Sequence, residues 1–203
     1  VLGRYLKLGE EKPIQSAVVY LRSPRLSDWK AWSKLRMESR QYLIPWEPTW
    51  GLNTLSKSSF KARLRQYSRD AKADTGRAFF IFRKSDDTLI GSITLSNIRR
   101  GVAQTGTIGY WTGQRYARSG YMLEGLSVLL PELFSRFGLR RVEAACLPDN
   151  IPSASLLKKA GFSYEGLARQ YLCINGVWQD HLLFAQLKSD NKEGSGSGVA
   201  NFT

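Results

Sequence analysis

The chain has 203 residues, 42% of them apolar and 12% aromatic, enough for one folded domain with a sizeable core. No uninterrupted apolar run approaches the length of a bilayer span, and no secretory apolar stretch opens the chain, so a membrane protein is not expected. Cys146 and Cys173 lie far apart without partners at metal-ligand spacing, and His181 is the only histidine, which argues against a zinc site or a disulfide framework. Both thiols are expected in the core of a protein of the reducing cytoplasm. Thirty Lys and Arg against 17 Asp and Glu give a net charge of +13 and a pI near 10.0. Such a balance points to an acidic partner: nucleic acid, an anionic membrane or a polyanionic cofactor.

Residues 1–16 are mixed and polar and read as a loose arm. "AVVYLRS" is a first strand. "SDWKAWSKLRMESR" is a helix, with Ser27 or Asp28 as N-cap and Trp29, Trp32, Leu35 and Arg36 at helical spacing. Pro45 and Pro48 stop it in "QYLIPWEPTW". "SKSSFKARLRQYSRDAKAD" is a second helix with Phe60, Leu64 and Tyr67 on one side. "GRAFFIFRK", "DTLIGSITLSNI" and "QTGTIGYWT" are three strands, parted by Ser85–Asp87 and by "RRGVA". A main helix is expected over residues 119–137, kinked or broken early by Pro131 and closed by Gly138. "LRRVEAACL" is a buried strand, and "DNIPSASLLKKAGF" a short helix with Pro152 in its first turn and Gly161 at its end. "SYEGLARQYLCI", the turn "NG" and "VWQDHLLFAQL" form a hairpin. The Gly/Ser-rich stretch 189–203 is a flexible tail.

The order β-α-α-β-β-β-α-β-α-β-β predicts a mixed sheet in one α/β or α+β domain over residues 17–188. The helix between "TIGYW" and "VEAACL" makes those strands parallel, with a right-handed crossover. Between "TIGYW" and the main helix lies "YARSGYM", Tyr116 to Met122. The first N–H groups of the helix lack internal partners and its dipole favours an anion there. Gly120 permits a close approach, Arg118 adds charge and Ser119 a hydroxyl. The same residues also suit an ordinary surface turn with a capping serine.

"IGYWTGQRYARSGYMLEGL", "NIPSASLLKKAGFSYEG" and "NGVWQDHLL" together resemble an acetyltransferase of the GNAT superfamily. "RQYLIPWEPTW" and "LSNIRRG" narrow the resemblance to the ribosomal-protein-alanine N-acetyltransferase group, the RimJ/RimL type, over roughly Val18 to Leu187. The resemblance implies a central, partly splayed, mainly antiparallel sheet flanked by helices, with acetyl-CoA as co-substrate and no metal. The family loop Q/R-x-x-G-x-G/A falls on Ala117, Arg118, Ser119, Gly120, Tyr121 and Met122. Ala117 departs from the usual Gln or Arg, so backbone donors would do most of the holding. Tyr116 opens this stretch. Gly109, Tyr110 and Trp111 would border the pantetheine arm, which adds to the sheet like a strand. Asn150 is implied to bind that arm and Ser153 to sit near the thioester sulfur. Asn150 is equally a good helix cap.

The implied reaction is direct attack of an amine on the thioester within a ternary complex. A peptide α-amine, with a pKa of roughly 7.7–8, needs only modest help from a base. Many family strands carry Glu just before "IGYW", where this chain has Thr107. Glu47, held between Pro45 and Pro48, is the preferred catalytic carboxylate, with Trp46 and Trp50 walling the acceptor site. Glu124, Glu165 and Asp180 are weaker candidates, and His181 is assigned no role. The expected acceptor is a protein N-terminus, such as that of a ribosomal protein, modified in the cytoplasm by a monomer or dimer. A small-amine acetyltransferase for antibiotics or polyamines is one alternative. Another is a protein that docks on ribosomal RNA through its +13 charge, with catalysis weak or lost.

Overall fold

A computed structural model describes residues 12–190. The arm expected at 1–16 and the tail expected at 189–203 fall mostly outside that range. Within it, Ile14–Gln15 form a short strand, β1, antiparallel to β2 (Val19–Arg22), so the last part of the supposed arm belongs to the sheet.

The helical layer begins with α1 (Trp29–Glu38), which turns Trp32, Leu35 and Arg36 inward. Asp28 does not cap it in the expected way. Its carboxylate is held by Arg22 at 2.7 and 2.8 Å and by the Arg25 N–H at 2.7 Å. A short helix α2 (Arg40–Leu43) and a 3-10 turn (Ile44–Trp46) carry the chain to the proline-rich segment. Helix α3 (Lys57–Ala73) starts at Ser56, whose hydroxyl accepts from the Ser59 N–H.

Strands β3 (Arg77–Arg83), β4 (Thr88–Arg99) and β5 (Thr105–Thr112) form the expected antiparallel meander. The run "AFFIF" is buried at every position because both faces of β3 are covered. Phe80 meets Phe60 of α3 at 6.2 Å between ring centroids. Its neighbour Ile81 lies under Gly125, where an added Cβ would stand 3.0 Å from Ile81 Cδ1. Adjacent strand residues face opposite ways, so α3 and the helix bearing Gly125 lie on opposite faces of the sheet.

That helix is α4 (Tyr121–Ser135), shorter at both ends than the sequence suggests. Pro131 does not end it. The carbonyl that proline orphans is that of Ser127, one turn earlier, and both residues are exposed, so water can take the vacant bond. Gly138, at φ +67°, then closes the helix, with the Leu139 N–H bonded to the Leu133 carbonyl.

Strand β6 (Arg141–Cys146), helix α5 (Ile151–Lys159) and strands β7 (Ser163–Ile174) and β8 (Val177–Leu187) complete the domain. Asn175 and Gly176, both at positive φ, make the two-residue turn of the β7–β8 hairpin. The sheet runs β1-β2-β3-β4-β5-β6-β8-β7, with β5 and β6 as its parallel pair. Cys146 is buried as expected. Cys173 is exposed, because β7 is an edge strand that shows most of its residues to water.

Candidate active site

The parallel pair β5–β6 opens partway along. Its register covers only Thr105, Gly106 and Thr107 against Arg141, Val142 and Glu143, although β5 continues to Thr112 and β6 to Cys146. Beyond Thr107 the two strands diverge. The Gln104 carbonyl bonds the Arg140 N–H on the β6 side, while the Gly113 N–H bonds the Ile90 carbonyl on the β4 side. By strand alternation the backbone groups of Ile108, Tyr110 and Thr112 therefore face the opening. They form a short unpaired edge inside the sheet, able to accept an extended amide-bearing chain as an added strand.

Side chains of β5, β6 and α5 cluster beside this opening. The Tyr110 hydroxyl lies 2.7 Å from Ser153 Oγ, bridging β5 to α5. Burial pushes the Tyr110 phenol well above its usual range, against a smaller opposing effect of the Ser153 hydrogen bond. The phenol is thus a proton holder at neutral pH. Burial also raises the Cys146 thiol, and a hydrogen bond with Ser153 partly offsets this. Asn150 caps α5, its Oδ1 accepting from the Ser153 N–H at 3.1 Å. The cap fixes Ser153 at the helix start and so aims its hydroxyl at Tyr110.

At the mouth of the opening the chain passes through a 3-10 turn (Gln114–Tyr116), which the sequence did not suggest, and reaches α4. Arg118 stands at φ +61° and Gly120 at φ +82°. The first bond at the head of α4 joins the Glu124 N–H to the Gly120 carbonyl. The N–H groups of Tyr121, Met122 and Leu123 consequently have no intrahelical acceptor. Arg118, Ser119 and Gly120 are exposed around them, while Ala117 is half-buried. The neighbouring aromatic residues are structural. Tyr116 is buried beneath Arg115 and Arg83, at 4.9 and 5.7 Å, and packs edge-on against Tyr121. Met122 belongs to the core. Gly109 is exposed on β5.

Glu47 lies in an ion pair that the sequence reading did not foresee. Arg36 donates to Oε1 at 2.8 Å and to Oε2 at 2.6 Å, and Trp50 Nε1 donates to Oε2 at 2.9 Å. The guanidinium is stacked between the rings of Trp50 and Trp111, at 4.3 and 4.8 Å. Arg36 thereby ties Glu47 and Trp50 to the open end of β5. Trp46 is half-buried at the end of its 3-10 turn. The β7–β8 turn grips the same segment: Asn175 donates to the Ile44 carbonyl at 3.3 Å and accepts from Thr49 Oγ1 at 2.9 Å. An arginine on the apolar face of α1 was the available signal for this cluster.

Two of the other candidate carboxylates are committed elsewhere. Arg141 holds Glu165 below the usual carboxylate range through a hydrogen-bonded ion pair. Asp180 accepts from the Gln170 N–H across the hairpin. Glu124 sits in the first turn of α4. Buried His181 has Nδ1 within 3.0 Å of the Gln179 carbonyl oxygen. Among the described residues no cluster suits a metal ion.

Comparison with known proteins shows a family. Residues 19–163 match the family described as Acetyltransferase (GNAT) domain. A probable N-acetyltransferase of Bacillus subtilis, YjcK, is 32% identical over 180 residues, covering 89% of this chain and 99% of the relative. The [Ribosomal protein uS5]-alanine N-acetyltransferase of Escherichia coli is 32% identical over 166 residues, 82% of each chain. Among solved structures, Mycobacterium smegmatis RimJ in complex with CoA-disulfide superposes with a TM-score of 0.81 at 31% identity, covering 88% of this chain and 87% of that one.

Proposed function

The chain belongs to the GNAT family of acetyltransferases, and within it we propose that this enzyme moves acetyl from acetyl-CoA to the N-terminal α-amine of a protein. The acceptor class follows the relatives, which include a ribosomal-protein-alanine N-acetyltransferase and RimJ. The observation that carries the reading is the opening of β5 from β6 beside the bare N-terminus of α4. The pyrophosphate meets the N–H groups at residues 118–123, with Arg118 adding charge. The pantetheine amides pair with the free edge at Ile108, Tyr110 and Thr112, and Asn150 flanks the arm. The thioester then lies beside Ser153.

The neutral amine attacks the acetyl carbon, and the carbon–sulfur bond breaks. Backbone N–H groups of the open β5 edge stabilise the oxyanion. Ser153, backed by the proton-holding Tyr110, donates to the leaving thiolate. Glu47 has four acceptor positions and three bound donors, so one remains on Oε1 to hold a water that relays the proton from the amine. Trp46 and Trp50 wall the acceptor. The reaction belongs in the cytoplasm, where acetyl-CoA and new protein N-termini meet.

The test is a panel of peptides with free N-termini, alongside polyamines and aminoglycosides, incubated with acetyl-CoA and read by mass spectrometry. Acetylation at the peptide α-amine, abolished by blocking that amine, is expected. Turnover of the small amines alone would replace this reading with that of a drug- or metabolite-modifying enzyme.

A further inference from the structure

The cations are not evenly matched by acid. Arg22, Arg36, Arg83, Arg100 and Arg141 each hold a carboxylate within 2.9 Å. Helix α3 differs. It carries six cations, at positions 57, 61, 63, 65, 69 and 72, against one carboxylate, Asp70. All six are exposed, and none forms an ion pair with a carboxylate among the described residues. Asp70 instead accepts from Gln66 at 2.6 Å.

Lys57, Lys61, Arg65 and Arg69 recur every fourth residue, so they form one row along the helix. Successive charges are about 6 Å apart, and the row is about 18 Å long. Like charges at this spacing destabilise a helix, and the row contains three such pairs. Lys57 also stands in the first turn, where the dipole disfavours a cation and where α3 has no acid. A merely solvated helix face gains by alternating its signs. This one is arranged against its own stability and is relieved when a line of negative charge covers it.

We infer that the outer face of α3 is a docking surface for duplex RNA, engaged through the phosphate backbone. The row and the regular charge of a nucleic-acid duplex are both linear, whereas a small anion would engage only one cation. An anionic membrane fits less well. The exposed positions between the cations are Ser58, Ala62, Gln66 and Ala73, with no large apolar side chain to enter lipid. The face reads shape and charge rather than sequence, because it offers no exposed aromatic ring for stacking bases. The surface lies across the sheet from α4, so RNA and acetyl-CoA occupy different sites. The choice of RNA over DNA rests on the proposed ribosomal acceptor; the charge geometry does not.

The experiment measures affinity of the full chain for a short RNA duplex, by fluorescence anisotropy across a salt series. Neutralising Lys61, Arg65 and Arg69 together to Gln is expected to weaken binding at least tenfold. The log–log salt slope should fall by about 2 to 3, near 0.9 per lost phosphate contact. The single variant Arg65→Gln should lower it by about 1. A control triple, Lys158→Gln, Lys159→Gln and Arg169→Gln, should change the slope less than the α3 triple. Equal losses in the two triples, or none in the α3 triple, overturn the proposal. So does tighter binding to phosphatidylserine vesicles or to a DNA duplex than to the RNA. Acetyl transfer to a peptide, measured in the same variants, should be unchanged, so failure of the docking surface is distinguishable from failure of the enzymatic reading.

Discussion

Tyr110 shows how one hydroxyl ties chemistry to fold. It spans the open end of the sheet and meets Ser153 at 2.7 Å, at the point where the thiolate would leave. Its ring packs against the core. Tyr110→Phe keeps that packing and removes one hydrogen bond, worth about 1 kcal/mol of stability. If Tyr110 positions and supplies the Ser153 proton, kcat should fall about tenfold or more while KM for acetyl-CoA changes less than about twofold. Ser153→Ala should cost more, since it removes the group beside the sulfur. A Tyr110→Phe enzyme with a lower Tm and an unchanged kcat would reduce the hydroxyl to a structural bond. The sequence grouped Tyr110, Ser153 and Asn150, which the structure brings into contact, only through their family pattern. It could not show that Arg36 engages Glu47, because that contact joins separate elements.

Among the elements, the head of α4 and the turn before it form the proposed anion site, with Gly120 at the hinge. At φ +82° the residue is in the left-handed region, and an added Cβ would meet no atom within 4 Å. Gly120→Ala therefore brings no clash, and its cost of about 1 kcal/mol is conformational. Relief of that strain rotates the peptide groups that present the Tyr121 and Met122 N–H groups. The KM for acetyl-CoA should rise about tenfold in initial-rate kinetics, with kcat nearly unchanged. A KM equal to that of the parent enzyme would move the pyrophosphate away from this turn. The elements themselves were largely legible, because continuous apolar runs such as "RAFFIFR", the turn "NG" and the cap at Asn150 act locally. Three features were not. The strand at Ile14–Gln15 exists only because β2 offers it an edge. The 3-10 turn at Gln114–Tyr116 is a single turn with no periodic signal. Pro131 persists within α4 because the bond it removes faces solvent.

At the scale of the molecule, the opened pair β5–β6 is the proposed entry of one substrate from the α4 side, while the proline-rich segment and the β7–β8 turn border the other approach. The single mixed sheet could be expected from element order, but the position where β5 leaves β6 is a property of register, which no local pattern encodes. The reaction across this cleft discriminates acceptors by their protonation. At pH 7 an α-amine of pKa about 7.8 is roughly 14% neutral, whereas a lysine of pKa about 10.4 is about 0.04% neutral. Where no base in the cleft deprotonates the incoming ammonium, transfer depends on that fraction. Transfer to a peptide α-amine should exceed transfer to an otherwise equivalent lysine by a few hundredfold at pH 7. The α-amine rate should rise with pH and level off above about pH 8, where that amine is mostly neutral. The lysine rate should keep rising about tenfold per pH unit through pH 9. Mass spectrometry of a peptide with one free α-amine and one lysine, sampled from pH 6 to 9.5, reads both rates together. A selectivity that stays constant across this range would mean that a base in the cleft removes the proton from either amine, and would return Glu47 to the role of a strong general base.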